Sequence, residues 1–217
     1  MTSARQRRYD AFVCAEVNLI ATSRIFSVGI TGHRPNRLMA PQSVTASLNT
    51  VLALIKAQAA VCDLIPLLIS ALAEGADRLA AKAAFAAGVR LDVILPFASG
   101  EYEKDFESAE SKTEYRGLLE KASAIVSLSG NPEQRDTAYQ AAGLRILERS
   151  NLLIAVWDGG PPAGIGGTPE MIAAAAKIGL RTILLDATGN KTPAVAGGGD
   201  IANCVIQAIR VCLNATS

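Results

Sequence analysis

The chain has 217 residues, half of them apolar, and a formal net charge of +1. That length buries one full core, so a single domain over 25–217 is expected, preceded by an N-terminal arm or helix over 1–24. The near-zero charge argues against broad contact with a nucleic-acid backbone, which needs a basic face, and one histidine with four cysteines lacking a CxxC pair argues against a bound metal.

The first residues carry Arg5, Arg7 and Arg8 ahead of an apolar patch, as a signal peptide would, but Asp10, Glu16 and Asn18 interrupt any continuous apolar region. No apolar run approaches the ~20 uninterrupted residues of a membrane helix. A soluble protein with free thiols at Cys14, Cys62, Cys204 and Cys212, in the reducing cytoplasm, is therefore expected.

Along the chain, apolar strand-like runs are predicted at 25–30, 64–70, 91–95, 124–128, 152–156 and 182–185, with helical patterns at 42–60, 76–87, 101–121, 132–149, 169–178 and 201–213. Gly88 and Gly179 each fall just past an alanine-rich helix, where a left-handed cap belongs. A glycine-rich loop, 194–199, precedes the last helix. Strands apolar throughout, alternating with helices of ten or more residues, predict an α/β fold: a doubly wound, mostly parallel, Rossmann-like sheet with helices on both faces.

In such a sheet ligands sit beyond the carboxyl ends of the strands. There the first strand leads into Thr31-Gly32-His33-Arg34, the second into Glu74-Gly75-Ala76-Asp77, and the fifth into Trp157-Asp158-Gly159. A glycine loop, Gly164-Ile165-Gly166-Gly167, then opens a helix at Thr168-Pro169-Glu170. Glycines let backbone approach a ligand, and the amides of a first helical turn point at an anion. Gly32, His33, Arg34, Glu74, Gly75, Asp77, Tyr139, Asp158, Gly166, Gly167, Thr168 and Glu170 are thus the candidate ligand-binding residues, with Gly166, Gly167 and Thr168 for phosphate, Arg34 adding charge, and Glu170, Asp77 or Asp158 for sugar hydroxyls.

Each piece also has a structural reading. Thr168 suits an N-cap, Pro169 a first helical position and Glu170 a first-turn acid. Arg149 complements the end of its helix, and Gly143 inside a helix costs about 1 kcal/mol against alanine, so it marks close packing or ligand approach. Phe97, Tyr102 and Tyr139 are candidates for stacking on a base, and Arg135 lies one helical turn before Tyr139.

At these residues the chain resembles the SLOG superfamily, which includes the Lonely Guy nucleotide hydrolases, the DNA-processing protein A domains and SLOG sensors associated with TIR or phosphorylase-like effectors. Ile30-Thr31-Gly32-His33-Arg34 looks like the family's first-strand turn. Ile69 to Asp77 looks like its SGxAxGxD segment with Ala71 for the first glycine, and Gly164 to Glu170 resembles its PGGxGTxxE loop. The hydrolases carry their glutamate three residues after the threonine and an arginine on the preceding helix; here Met171 and Ala142 stand at those places.

The resemblance implies a protein that binds a nucleotide or nucleotide-derived small molecule as a sensor, without a cofactor, and as a homo-oligomer, commonly a dimer. Two alternatives stand beside it: a nucleoside 5′-monophosphate N-glycosidase with Glu170 as candidate catalytic acid, and a scaffold with a vestigial pocket. A nicotinamide-dependent dehydrogenase is disfavoured, because Gly29-Ile30-Thr31-Gly32 is not G-x-G-x-x-G.

Overall fold

The computed structural model describes residues 25–162 and 166–215, so the arm over 1–24, with Cys14, and the loop residues Gly164 and Ile165 lie outside the described residues. In chain order come β1 (Ile25–Gly32), α1 (Pro41–Val61), β2 (Ile65–Ser70), α2 (Ala76–Ala86), β3 (Arg90–Leu95), the single turn α3 (Ser99–Tyr102) and α4 (Ala109–Leu119). Then follow β4 (Ala124–Ser127), α5 (Arg135–Glu148), β5 (Leu152–Trp157), α6 (Thr168–Lys177), β6 (Thr182–Asp186), β7 (Ala194–Val195) and α7 (Ile201–Ala215).

The strands form one sheet in the order β4-β3-β2-β1-β5-β6-β7, parallel except for β7, which is antiparallel to β6. The chain winds outward from β1 through β2, β3 and β4, then returns to place β5 on the other side of β1, with Val28 beside Leu152 and Gly32 beside Val156. The seam between β1 and β5 is therefore the topological switch point.

Alternation along the strands divides the core. Phe26, Val28 and Ile30 of β1 face α1, α2 and α7, whereas Leu67 and Ile69 of β2 with Ile94 of β3 meet Ala142 and Ile146 of α5. A third group, Leu147, Leu153, Met171 and Ala175, joins α5, β5 and α6. In α1 the buried residues Val44, Leu48, Val51, Leu52, Ile55 and Ala59 recur at helical spacing, and each fully buried leucine or isoleucine contributes roughly 1.5–3 kcal/mol. That helix is long and apolar enough to cross a membrane, which the expectation from uninterrupted runs missed; here its apolar face lies on the sheet.

Local punctuation follows the sequence closely at two helix ends. Gly88 and Gly179 adopt φ of 67° and 70°. Around them Gly88 N donates to Phe85 O and Val89 N to Ala84 O, and Gly179 N to Ala176 O and Leu180 N to Ala175 O, which is the Schellman pattern at both ends.

Three expectations change. The helix expected over 101–121 is broken: after α3 and a 3-10 turn at Glu103–Asp105 the chain is extended at Phe106, and α4 restarts where the Ser108 hydroxyl accepts the Ser111 amide at 3.0 Å. The break buries Phe106 against the rings of Tyr102 and Tyr115, at centroid distances of 5.1 and 4.9 Å, which a continuous helix would not allow. Residues Pro132–Gln134 are a 3-10 turn ahead of α5. The glycine-rich loop begins as β7. Helices cover both faces as expected, and at the β4 margin Ile125 and Val126 stay exposed.

Candidate functional site

The ends of β1, β2 and β5 interlock through close backbone contacts. His33 N donates to Val156 O, and Ala76 N donates to His33 O, both at 3.1 Å. A Cβ on Gly32 would lie 2.4 Å from Ala76 Cβ, and one on Gly75, whose φ is 94°, would lie 2.4 Å from His33 O. These two glycines are required by chain packing, the structural reading of that segment.

Asp158, directly after β5, is the hub of the seam. Arg37 grips it with Nε to Oδ2 at 2.9 Å and Nη2 to Oδ1 at 2.7 Å, and Gly160 N donates to Oδ1 at 2.8 Å. Nη1 of Arg37 also donates to Pro161 O, so one guanidinium fixes both the carboxylate and its loop. His33 Nε2 lies 2.9 Å from Oδ1, off the hydrogen-bond line, so this contact is an electrostatic pair rather than a full hydrogen bond. Burial pushes the Asp158 carboxyl up, but the Gly160 amide, Arg37 and His33 outweigh it and hold the group far below the usual carboxylate range.

Above the seam, between α5 and α6, opens a cavity of about 280 Å³. Its lining combines polar residues, His33, Arg34, Asp77 and Thr168 with the backbone of Gly166 and Gly167, and apolar ones, Ala142, Ile146, Leu147, Leu153 and Met171. The volume lies just below the range usual for small-molecule sites, about 300–1,000 Å³. Asp77 is 5% exposed and accepts hydrogen bonds from Ser70 Oγ at 3.0 Å and Ala71 N at 3.1 Å. Burial pushes its carboxyl up to about 6, against the lowering effects of Ser70, the Arg34 charge and the amides of Ala71 and Ala73. Arg34 sits 5.9 Å over the Tyr139 ring, and among the described residues no carboxylate comes nearer to it than Glu74 Oε2 at 4.0 Å.

Of the residues expected to form the site, Gly32, His33, Arg34, Asp77, Tyr139, Gly166, Gly167 and Thr168 line this cavity together. Glu74 and Gly75 line a separate open groove beside Arg78 and Ser111, where Glu74 accepts the Ser111 hydroxyl. Asp158 stands behind His33 and Arg37. Glu170 turns back on its own loop, accepting Gly166 N at 2.8 Å, with Gln140 Nε2 at 3.5 Å. Helix α6 starts at Thr168 with Gly167 as N-cap, one residue earlier than the expected Thr168 cap, because Gly167 O accepts the amides of Glu170 and Met171. With Pro169 lacking an N–H, Gly167 and Thr168 are the residues of this turn whose amides remain for an anion.

Arg135 and Tyr139 do converge, but on Asp105: the guanidinium pairs with Oδ1 and the phenol donates to Oδ2 at 2.5 Å. Phe97 and Tyr102 are buried in the aromatic cluster around them. Gly143 is explained by packing, since a Cβ there would lie 2.6 Å from Met171 Sδ. Arg149 pairs with Asp92 at 3.3 Å. Arg37 was missed, because nothing in its local spacing announces a carboxylate 121 positions away; the unmatched acid in Trp157-Asp158-Gly159 was the only signal.

No protein-family model and no curated protein matches the chain. Among solved structures it is similar to DNA-processing protein A from Streptococcus pneumoniae, with a TM-score of 0.53 and 14% identity over 88% of this chain and 56% of that one. The fold is that of DNA-processing protein A. It is Rossmann-like, as the alternation of strands and helices predicted, and the chain spans little more than half the length of that relative. Lower similarity links it to TM1055, with TM-score 0.42 and 16% identity over 71% of each chain. It is likewise similar to the molybdenum cofactor carrier protein of Chlamydomonas reinhardtii, with TM-score 0.36 and 16% identity over 88% of this chain and 99% of that one.

Proposed function

We propose that the chain binds a nucleotide or nucleotide-derived small molecule at the C-terminal edge of the sheet, and that it serves as a sensor. The observation that carries this reading is the mixed lining of the switch-point cavity, a cation and glycine backbone beside apolar side chains. Arg34, loosely paired at 4.0 Å, and the amides of Gly167 and Thr168 suit a phosphate. Among the described residues lining the cavity the one carboxylic acid is Asp77, which Ser70 and Ala71 already engage, and Glu170 is engaged by the Gly166 amide. Cleavage of an N-glycosidic bond needs an acid at the sugar, so binding without turnover fits better than hydrolysis. The family resemblance leads us also to propose a cytoplasmic homodimer, which sedimentation of the purified chain checks.

The test pairs thermal melting in a panel of nucleoside monophosphates with chromatography for released base. Ligand bound to the native state must raise the melting temperature. We expect such a rise without base release, and about tenfold weaker binding in Arg34→Ala at an unchanged unliganded melting temperature. No shift at millimolar nucleotide rejects the reading in favour of a vestigial pocket. Steady base release that Glu170→Gln abolishes replaces it with the N-glycosidase.

A further inference from the structure

The chain's one histidine lines the cavity, is 6% exposed, and has Nε2 buried without a fully formed hydrogen bond, 2.9 Å from Asp158 Oδ1. Asp158 is an acceptor only, and two lone pairs at that distance would repel, so the proton of a singly protonated ring belongs on Nε2. Arg37 and the Gly160 amide hold the carboxylate still, which fixes the ring with it. Nδ1 is then left as an acceptor, and among the described residues it has no partner. Unlike Nε2, Nδ1 is not sealed from solvent, so a donor entering the cavity His33 lines can reach it.

We propose that His33 is the sugar-reading residue of the site. Its Nδ1 accepts a hydrogen bond from a ribose hydroxyl of the bound nucleotide, and Asp158 and Arg37 are positioning residues that set the tautomer. This rests on the nucleotide reading above and narrows it to ligands that present a free 2′- or 3′-hydroxyl on the sugar. It assigns the hydroxyl to a neutral nitrogen, so the three nearby acids are not needed for it: Asp77 is occupied by Ser70 and Ala71, Asp158 by Arg37, and Glu170 by Gly166.

With a single histidine, the imidazole nitrogens of uniformly labelled wild-type protein give one pair of ¹⁵N resonances. The expected result for the free protein is a protonated Nε2 and a bare Nδ1, with Nδ1 moving when the tightest-binding of the four ribonucleoside 5′-monophosphates is added. Removing the 2′- or the 3′-hydroxyl from that nucleotide should weaken binding about tenfold for the hydroxyl that is read. His33→Phe should erase that preference while the phosphate is still bound. A protonated Nδ1 in the free protein overturns the inference. So does binding of both deoxy forms within about twofold of the ribonucleotide, with an unmoved Nδ1, which leaves the nucleotide reading intact. Failure of all four monophosphates to bind overturns both.

Discussion

Asp77 and Asp158 lie at one sheet edge in environments that push their carboxyls in opposite directions. For Asp77 the folded value of about 6 lies above the unfolded 3.8, so the protonated form favours the fold. That contribution is complete below the unfolded value and is lost as pH rises through about 6. Raising pH through this window should cost at most about 3 kcal/mol from this group. Asp77→Asn keeps an acceptor for Ser70 and Ala71 and should flatten the slope; urea midpoints on both sides of the window check it, and equal slopes in the two proteins reject it. Asp158 has the opposite sign: its stabilisation is present above the ordinary carboxylate range and disappears as acid protonates it. A double-mutant cycle of Arg37→Ala and Asp158→Asn should give a coupling of about 1–3 kcal/mol at neutral pH, and additive losses would show that the bidentate grip is not the stabilising contact.

At the level of elements, the α5–α6 contact is decided by one missing methyl group. Gly143→Ala places a Cβ 2.6 Å from Met171 Sδ and should destabilise by about 1–3 kcal/mol, even though alanine is the better helix former. In a Met171→Ala background the same change should be neutral or stabilising. Chemical denaturation of the four proteins checks this, and a Gly143→Ala cost that persists without Met171 would place the clash elsewhere. This contact also shows what a sequence conveys. The glycine advertised a close approach, but its partner is set by tertiary packing and not by spacing. The caps at Gly88 and Gly179 were legible because a left-handed residue and its neighbours settle them locally. The interruption at Phe106 was not, since it exists to bring one ring onto Tyr102 and Tyr115 and Arg78 over that ring at 4.3 Å. In the site, the strand-end loops were found from periodicity alone, because a parallel sheet gathers them on one side. The direction of each side chain was not, which is why Glu74 and Glu170 face away from the cavity while Arg37 went unnoticed.

For the molecule as a whole, winding order places the candidate site where β1 and β5 part, at the centre of the sheet, far from either margin. The margins themselves are finished differently. On one side β7 closes against β6, pairing Val195 with Ile183 and Ala194 with Leu184. On the other, β4 has only β3 for a neighbour, and Ile125 and Val126 are 47% and 39% exposed. Deuterium uptake should therefore run as a gradient across the molecule, with peptides covering 124–127 labelling first and those from β1 and β5 last. Fraying at that margin would leave the β1–β5 seam intact, so the protein should tolerate opening of its outermost strand without losing the cavity at its middle.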